Sequence, residues 1–151
     1  MITITKEFSF EMSHQLEGYN GKCKNIHGHS YRLFVSVRGT PIADAAHPHY
    51  GMVMDFAALK LIVNQQVISI FDHSLVLKKD VPLHHTLQTS PIHIVAVDYQ
   101  PTCENILLDI AQRLQNVLPP AVQLAYLRLY ETATSYAEWE ADLPSLCYKK
   151  S

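Results

Sequence analysis

The sequence predicts an α+β domain with the order β-β-α-(short β)-α-β-β, an antiparallel sheet with two helices packed on one face. Three observations carry this expectation. Apolar residues alternate with period two near 2–12 and 28–39, the mark of half-buried strands. They recur at three- and four-residue spacing over 56–70 and 102–117, the mark of amphipathic helices. No repeat, low-complexity run or linker divides the 151 residues, so 1–151 is expected to form one domain.

Taken in order, Ile2, Ile4, Phe8, Phe10 and Met12 share one parity, broken only by Lys6, and His14 continues it. A second strand puts Tyr31, Leu33, Val35 and Val37 on one face and ends at Gly39-Thr40-Pro41. A loop rich in Ala, His and Pro then leads to a short extended piece, Met52-Val53-Met54, and Asp55 is a suitable N-cap for a helix. That helix carries Phe56, Leu59, Ile62, Val63, Val67 and Ile70 as its stripe. Residues 72–101 are less regular, with a short strand expected at Ile92–Val97. Thr102 is expected to cap a second helix with Glu104 in its first turn, where a carboxylate favours the dipole. Ile106, Ile110, Leu114 and Val117 give its stripe, and Pro119-Pro120 stops it. Residues 122–131 read as a strand with apolar residues of both parities, which suggests cover on both faces. A last short strand is expected at 135–140.

Composition narrows the function. The chain is 48% hydrophobic and 17% charged, ordinary for a globular domain. A formal charge of −2 gives no basic field for nucleic acid. No apolar run approaches the roughly 18 residues of a membrane span, and the first residues lack the pattern of a secretory signal, so a cytoplasmic location is expected. Cys23, Cys103 and Cys147 are an odd number with no CxxC pair, which argues against a disulfide framework. Nine histidines are the compositional oddity.

His27-Gly28-His29 is the sharpest local signal. Residues i and i+2 of an extended segment project to one face, so two imidazoles can converge on one ion. His14, at the end of the preceding strand, supplies a third if the two strands pair. Three histidines with an open fourth position describe a catalytic zinc site. Cys23 lies between Lys22 and Lys24, which with a metal nearby would favour the thiolate as base or nucleophile. The same spacing also allows a fourth, structural ligand or an inert loop cysteine. Asp72 could orient the imidazole of His73 for proton transfer, or merely end the helix. Glu131 either pairs with Arg128 or faces a ligand, and sequence alone favours the ion pair.

Together these residues resemble the 6-pyruvoyltetrahydropterin synthase family, and within it the 6-carboxytetrahydropterin synthase branch that serves 7-deazaguanine (queuosine) biosynthesis. The resemblance runs through Phe8-Ser9-Phe10 to His14, Lys22-Cys23-x3-His27-Gly28-His29-Ser30-Tyr31 and Gly51-Met52-Val53-Met54-Asp55-Phe56. It continues in Asp72-His73, Pro101-Thr102-x-Glu104-Asn105 and Glu131-Thr132. It implies the tunnelling fold, a four-stranded antiparallel sheet with two helices on one side, and a homo-oligomer in which three subunits close a β-barrel and two trimers stack. It also implies active sites between subunits, with zinc on His14, His27 and His29. Cys23 would be the base, Asp72 and His73 proton-transfer partners and Glu131 the anchor of the pterin ring, with Thr102 and Glu104 helping to build the pocket. The spacing Cys-x3-His-Gly-His resembles the carboxy-forming branch, a lyase that takes 7,8-dihydroneopterin triphosphate to 6-carboxy-5,6,7,8-tetrahydropterin with release of acetaldehyde and triphosphate. A 6-pyruvoyltetrahydropterin synthase, or a non-catalytic zinc- or pterin-binding protein, are the competing readings. Two departures stand out: no asparagine follows Leu75, and residues 78–100 are longer than in compact members.

Overall fold

A computed structural model describes residues 1–142; Cys147 lies outside them. β1 (Ile2–His14) and β2 (His27–Gly39) pair antiparallel along their whole length, from Ile2 opposite Gly39 to His14 opposite His27. The alternation seen in sequence sorts their side chains. Phe8, Phe10, Met12 and His14 are buried from β1 with Tyr31, Leu33, Val35 and Val37 from β2. On the other face Arg32 donates to Glu7 at 2.7 Å. β5 (Val122–Tyr130) joins β2, and β6 (Tyr136–Glu140) joins β5, both antiparallel. This is the expected four-stranded antiparallel unit.

Two short strands extend it. β3 (Ser74–Lys78) lies parallel to the end of β1, and β4 (Ile94–Val97) lies parallel to β3, giving a six-stranded sheet in the order β4-β3-β1-β2-β5-β6. Parallel neighbours need a crossover; between β3 and β4 it includes the short helix α3 (Pro82–Leu87), in the segment noted above as long. β3 escapes a periodicity search because Leu75, Val76 and Leu77 are all buried. A run covered on both faces does not alternate. Met52–Met54 is not a strand; Met52 and Gly51 instead exchange backbone hydrogen bonds with Ile42 across the loop.

The mixed parity of β5 has a different cause from the one expected. Ser36 faces Tyr126 while Val37 faces Leu124, so Ala125 is an extra residue, a β-bulge. The bulge flips the parity: Val122 and Leu124 point inward before it, Leu127 and Leu129 after it. One face is buried, and the other carries Tyr126 and Arg128.

α1 (Phe56–Val63), a π-helical stretch (Asn64–Ile68) and α2 (Ser69–Phe71) run on as one rod. Its buried residues, Leu59, Val63, Val67 and Phe71, are spaced by four. Four residues overshoot a 3.6-residue turn, so the stripe would drift round an unbroken α-helix. The wider π-turn absorbs the overshoot and keeps Phe71 on the sheet side. Phe56, expected on the stripe, is 49% exposed. Asp55 caps α1 by accepting from Ala57 N–H at 2.8 Å. Thr102 caps α4 (Cys103–Gln115) by accepting from Asn105 N–H at 3.3 Å. α4 buries Ile106, Leu107, Ile110, Ala111 and Leu114, packs on β5 and β6, and meets the π-helical stretch. Val117 falls beyond its end, exposed. Among the described residues no helix is long and apolar enough to cross a membrane.

Candidate metal centre and active site

Strand register brings the three histidines to one end of the β1–β2 hairpin. His14 ends β1 directly opposite His27, which begins β2, and His29 lies two residues on, on the same face. One ring nitrogen from each can be chosen so that all three lie within 4.8 Å of one another. Cys23, in the 3-10 turn Lys22–Lys24, is not a member of that group.

The surrounding backbone fixes which nitrogens face inward. His14 Nδ1 lies 2.7 Å from the Pro101 carbonyl and His27 Nδ1 2.9 Å from the Asn25 carbonyl. A carbonyl oxygen only accepts, so each Nδ1 carries the proton. Both Nε2 atoms then present lone pairs to one another at 3.1 Å. Two acceptors that close repel unless they share a cation. His29 Nε2 is buried with no hydrogen-bond partner, although buried polar atoms nearly always have one. Burial lowers the pKa of both His14 and His29, which favours the neutral imidazole a metal needs. Three neutral imidazoles, two of them oriented by carbonyls, fit zinc with a position left open.

Glu131 joins this centre and is not paired with Arg128, contrary to the ion pair that sequence alone favoured. Arg128 is engaged on the outer face by Glu138, with Nη2–Oε1 at 2.5 Å. Glu131 follows the end of β5 and points the other way. Its Oε1 lies 3.7 Å from His14 Nε2 and 3.9 Å from His29 Nε2, and accepts from the Tyr31 hydroxyl at 3.4 Å. Burial, then Glu131, pushes the Tyr31 pKa up, so the phenol is a donor there. Beside the histidines opens a cavity of ≈ 280 Å³ onto which His14, Cys23, Thr102, Cys103, Glu104 and Glu131 all face.

The model of the family described as 6-pyruvoyl tetrahydropterin synthase matches residues 3–142. The chain belongs to that family. A 6-carboxy-5,6,7,8-tetrahydropterin synthase of Haemophilus influenzae is 34% identical over 93% of this chain and 99% of its own length. One of the same name from Rickettsia felis is 30% identical over 91% and 99%. Among solved structures, the Caenorhabditis elegans 6-pyruvoyl tetrahydropterin synthase superposes with a TM-score of 0.63 at 25% identity, covering 93% of this chain and 96% of that one. The chain is a lyase-type enzyme of this synthase family.

Not every residue expected at a synthase site is brought together in one chain. Asp72 and His73 lie on the other side of the hairpin. His73 is 78% exposed and lines a second cavity of ≈ 350 Å³ with Glu11, Ser13, Gly28, Ser30 and also His29. Asp72 ends α2, and its Oδ1 accepts from Glu11 N–H at 2.9 Å, while His73 donates its own N–H to the Glu11 carbonyl. The 3.6 Å between Asp72 Oδ1 and His73 Nδ1 is close for charges but too long for a hydrogen bond. His73 has φ 56°, uncommon for a side chain bearing Cβ.

Three residues at the centre carried no functional reading from sequence. Pro101 orients His14 through its carbonyl, which no side-chain pattern reveals. Cys103 donates its thiol to the Leu129 carbonyl at 3.5 Å. Burial, then Glu131, pushes that thiol up to about 12, so it stays protonated beside the cavity and is not a second base. Tyr31 shared the parity of His27 and His29 in β2, a signal that was present but read as core.

Proposed function

We propose that this enzyme converts 7,8-dihydroneopterin triphosphate to 6-carboxy-5,6,7,8-tetrahydropterin, releasing acetaldehyde and triphosphate, with zinc held by His14, His27 and His29. The observation that carries the reading is the pair of facing Nε2 lone pairs on His14 and His27, with His14, Cys23 and Glu131 lining one cavity beside them. The Haemophilus and Rickettsia relatives, both named 6-carboxy-5,6,7,8-tetrahydropterin synthase, support that choice of product. That product would serve 7-deazaguanine (queuosine) biosynthesis, the pathway the family resemblance implies, and a cytoplasmic location belongs to the same reading.

Bound zinc would supply Lewis acidity, making substrate hydroxyls that reach it easier to deprotonate. The chain's own residues do the rest. Glu131 accepts from the paired donors of the pterin's guanidine-like edge, a planar match for one carboxylate. Thr102 and Glu104, on the first turn of α4, wall the pocket. Cys23 faces the cavity without ligating the metal, free to take a proton from the substrate's side-chain carbon. Asp72 and His73 move protons elsewhere on that side chain; His73 and Cys23 line different cavities of one chain, and under this reading they act across a contact with a second copy. The reading therefore includes a homo-oligomer, a trimer or hexamer as the family resemblance implies.

The 6-pyruvoyl reading uses the same centre and the same substrate, and the name of the Caenorhabditis neighbour favours it as the alternative. Mass spectrometry of the products formed from 7,8-dihydroneopterin triphosphate decides. The carboxylated pterin with acetaldehyde is expected. A pyruvoyl product without acetaldehyde selects the alternative, and an unchanged substrate refutes both.

A further inference from the structure

The Glu131 carboxylate sits between two claimants. Its Oε1 is 3.7 and 3.9 Å from the Nε2 atoms of His14 and His29. A short swing would therefore add a fourth donor to a metal on those histidines and close the site. The same oxygen is the partner of the Tyr31 hydroxyl at 3.4 Å. Tyr31 cannot follow a moving carboxylate. It is fully buried, its ring stacked on Phe10 at 5.3 Å and 8°, and met edge-on by His29 at 5.6 Å and His14 at 6.4 Å. All of these contacts to Glu131 run through Oε1, which leaves Oε2 for a ligand in the cavity.

We infer that Tyr31 is a positioning residue that keeps Glu131 off the metal, its hydroxyl holding Oε1 so that the carboxylate serves the substrate. This rests on the function proposed above, which gives the pterin edge to Glu131, and adds which residue decides that allegiance. Without the hydroxyl, a partly buried carboxylate beside a cation turns to the cation, because an unpaired charge is costly there. The substrate then loses its acceptor while the metal gains one.

The test uses Tyr31→Phe, which keeps the ring and its stacking, with cobalt(II) as the probe, whose visible absorption reports ligand number and type. The Tyr31→Phe spectrum is expected to differ from the parent's, and the Tyr31→Phe/Glu131→Gln double variant to return to it. Glu131→Gln alone is expected to leave the parental spectrum unchanged; a shift would place Glu131 on the metal already and overturn the inference. Identical spectra for the parent and Tyr31→Phe, or a change that Glu131→Gln does not reverse, overturn it as well. In the zinc enzyme KM for 7,8-dihydroneopterin triphosphate should rise roughly tenfold in Tyr31→Phe, as expected when a charged anchor is lost, with kcat within about twofold. A fall in kcat at constant KM counts against the inference. Failure of the proposed function shows separately, as a parent that does not turn over this substrate, whereas the cobalt spectra judge Tyr31 and Glu131 with no substrate present.

Discussion

Cys23 and His27 are four residues apart, yet the structure sets them in different places. His27 is one of three converging nitrogens, its tautomer set by the Asn25 carbonyl; Cys23 faces the cavity outside that group. Substituting each separates the tasks proposed for them. His27→Ala is expected to cut zinc affinity by more than roughly tenfold, since losing even a residue that orients a ligand costs that much. Zinc content by mass spectrometry or atomic absorption checks it, and full occupancy in the variant would remove His27 from the centre. Cys23→Ala is expected to keep zinc and lose turnover by roughly a hundredfold or more, the range typical of a general base. A variant that purified without metal would instead make Cys23 a ligand.

At the scale of elements, the two capped helices give a contrast. Asp55 and Thr102 each cap a helix start, and each is worth about 1 kcal/mol when replaced by alanine. In a chain of this size that shifts the melting temperature by roughly 2–5 °C. Asp55→Ala is expected to do only that, because α1 begins away from the cavity. Thr102→Ala should lower the melting temperature equally and also raise KM, because Thr102 lines the cavity and follows Pro101, whose carbonyl sets His14. Equal kinetics in the two variants would reduce Thr102 to a cap. Both caps, the β1–β2 hairpin and α4 were legible in the sequence because each rests on local chemistry: alternation, a side-chain oxygen before an apolar stripe, prolines after it. β3 was not legible, since burial on both faces erases alternation. The bulge at Ala125 was visible only as mixed parity, which two causes explain equally well. The histidine cluster was legible because strand pairing converts two sequence positions into one place. Tyr31 and the Pro101 carbonyl were not, because their roles depend on a neighbour about a hundred residues away in one case and on backbone in the other.

For the whole molecule, the sheet leaves one long strand half covered. β3 pairs with β1 only at Met12–His14, and Asp72 and His73 bond Glu11, so among the described residues the outer edge of β1 before Glu11 has no strand beside it. Glu11 turns both its N–H and its carbonyl to that outer side, and residues of the same parity, among them Ser9, do likewise. An edge so long and open is a template for another strand. If it carries the proposed contact between copies, Ser9→Pro removes one outward N–H without touching a β1–β2 bond. The variant is expected to run as a folded monomer by light scattering, with its circular dichroism unchanged. An oligomer of parental size would place the contact elsewhere.

The bond from His14 to Pro101 spans 87 positions of chain. A ribosome has released the hairpin and all three histidines long before it makes that carbonyl. Until then nothing holds the His14 proton on Nδ1, and the hairpin offers an ion a ring free to turn either nitrogen toward it. On the zinc reading proposed above, tight loading would wait for Pro101, which would make metal acquisition a late event in the life of each chain. A newly made copy would then meet the cell's zinc supply with its hairpin already paired, and the ion would set a seal on that structure.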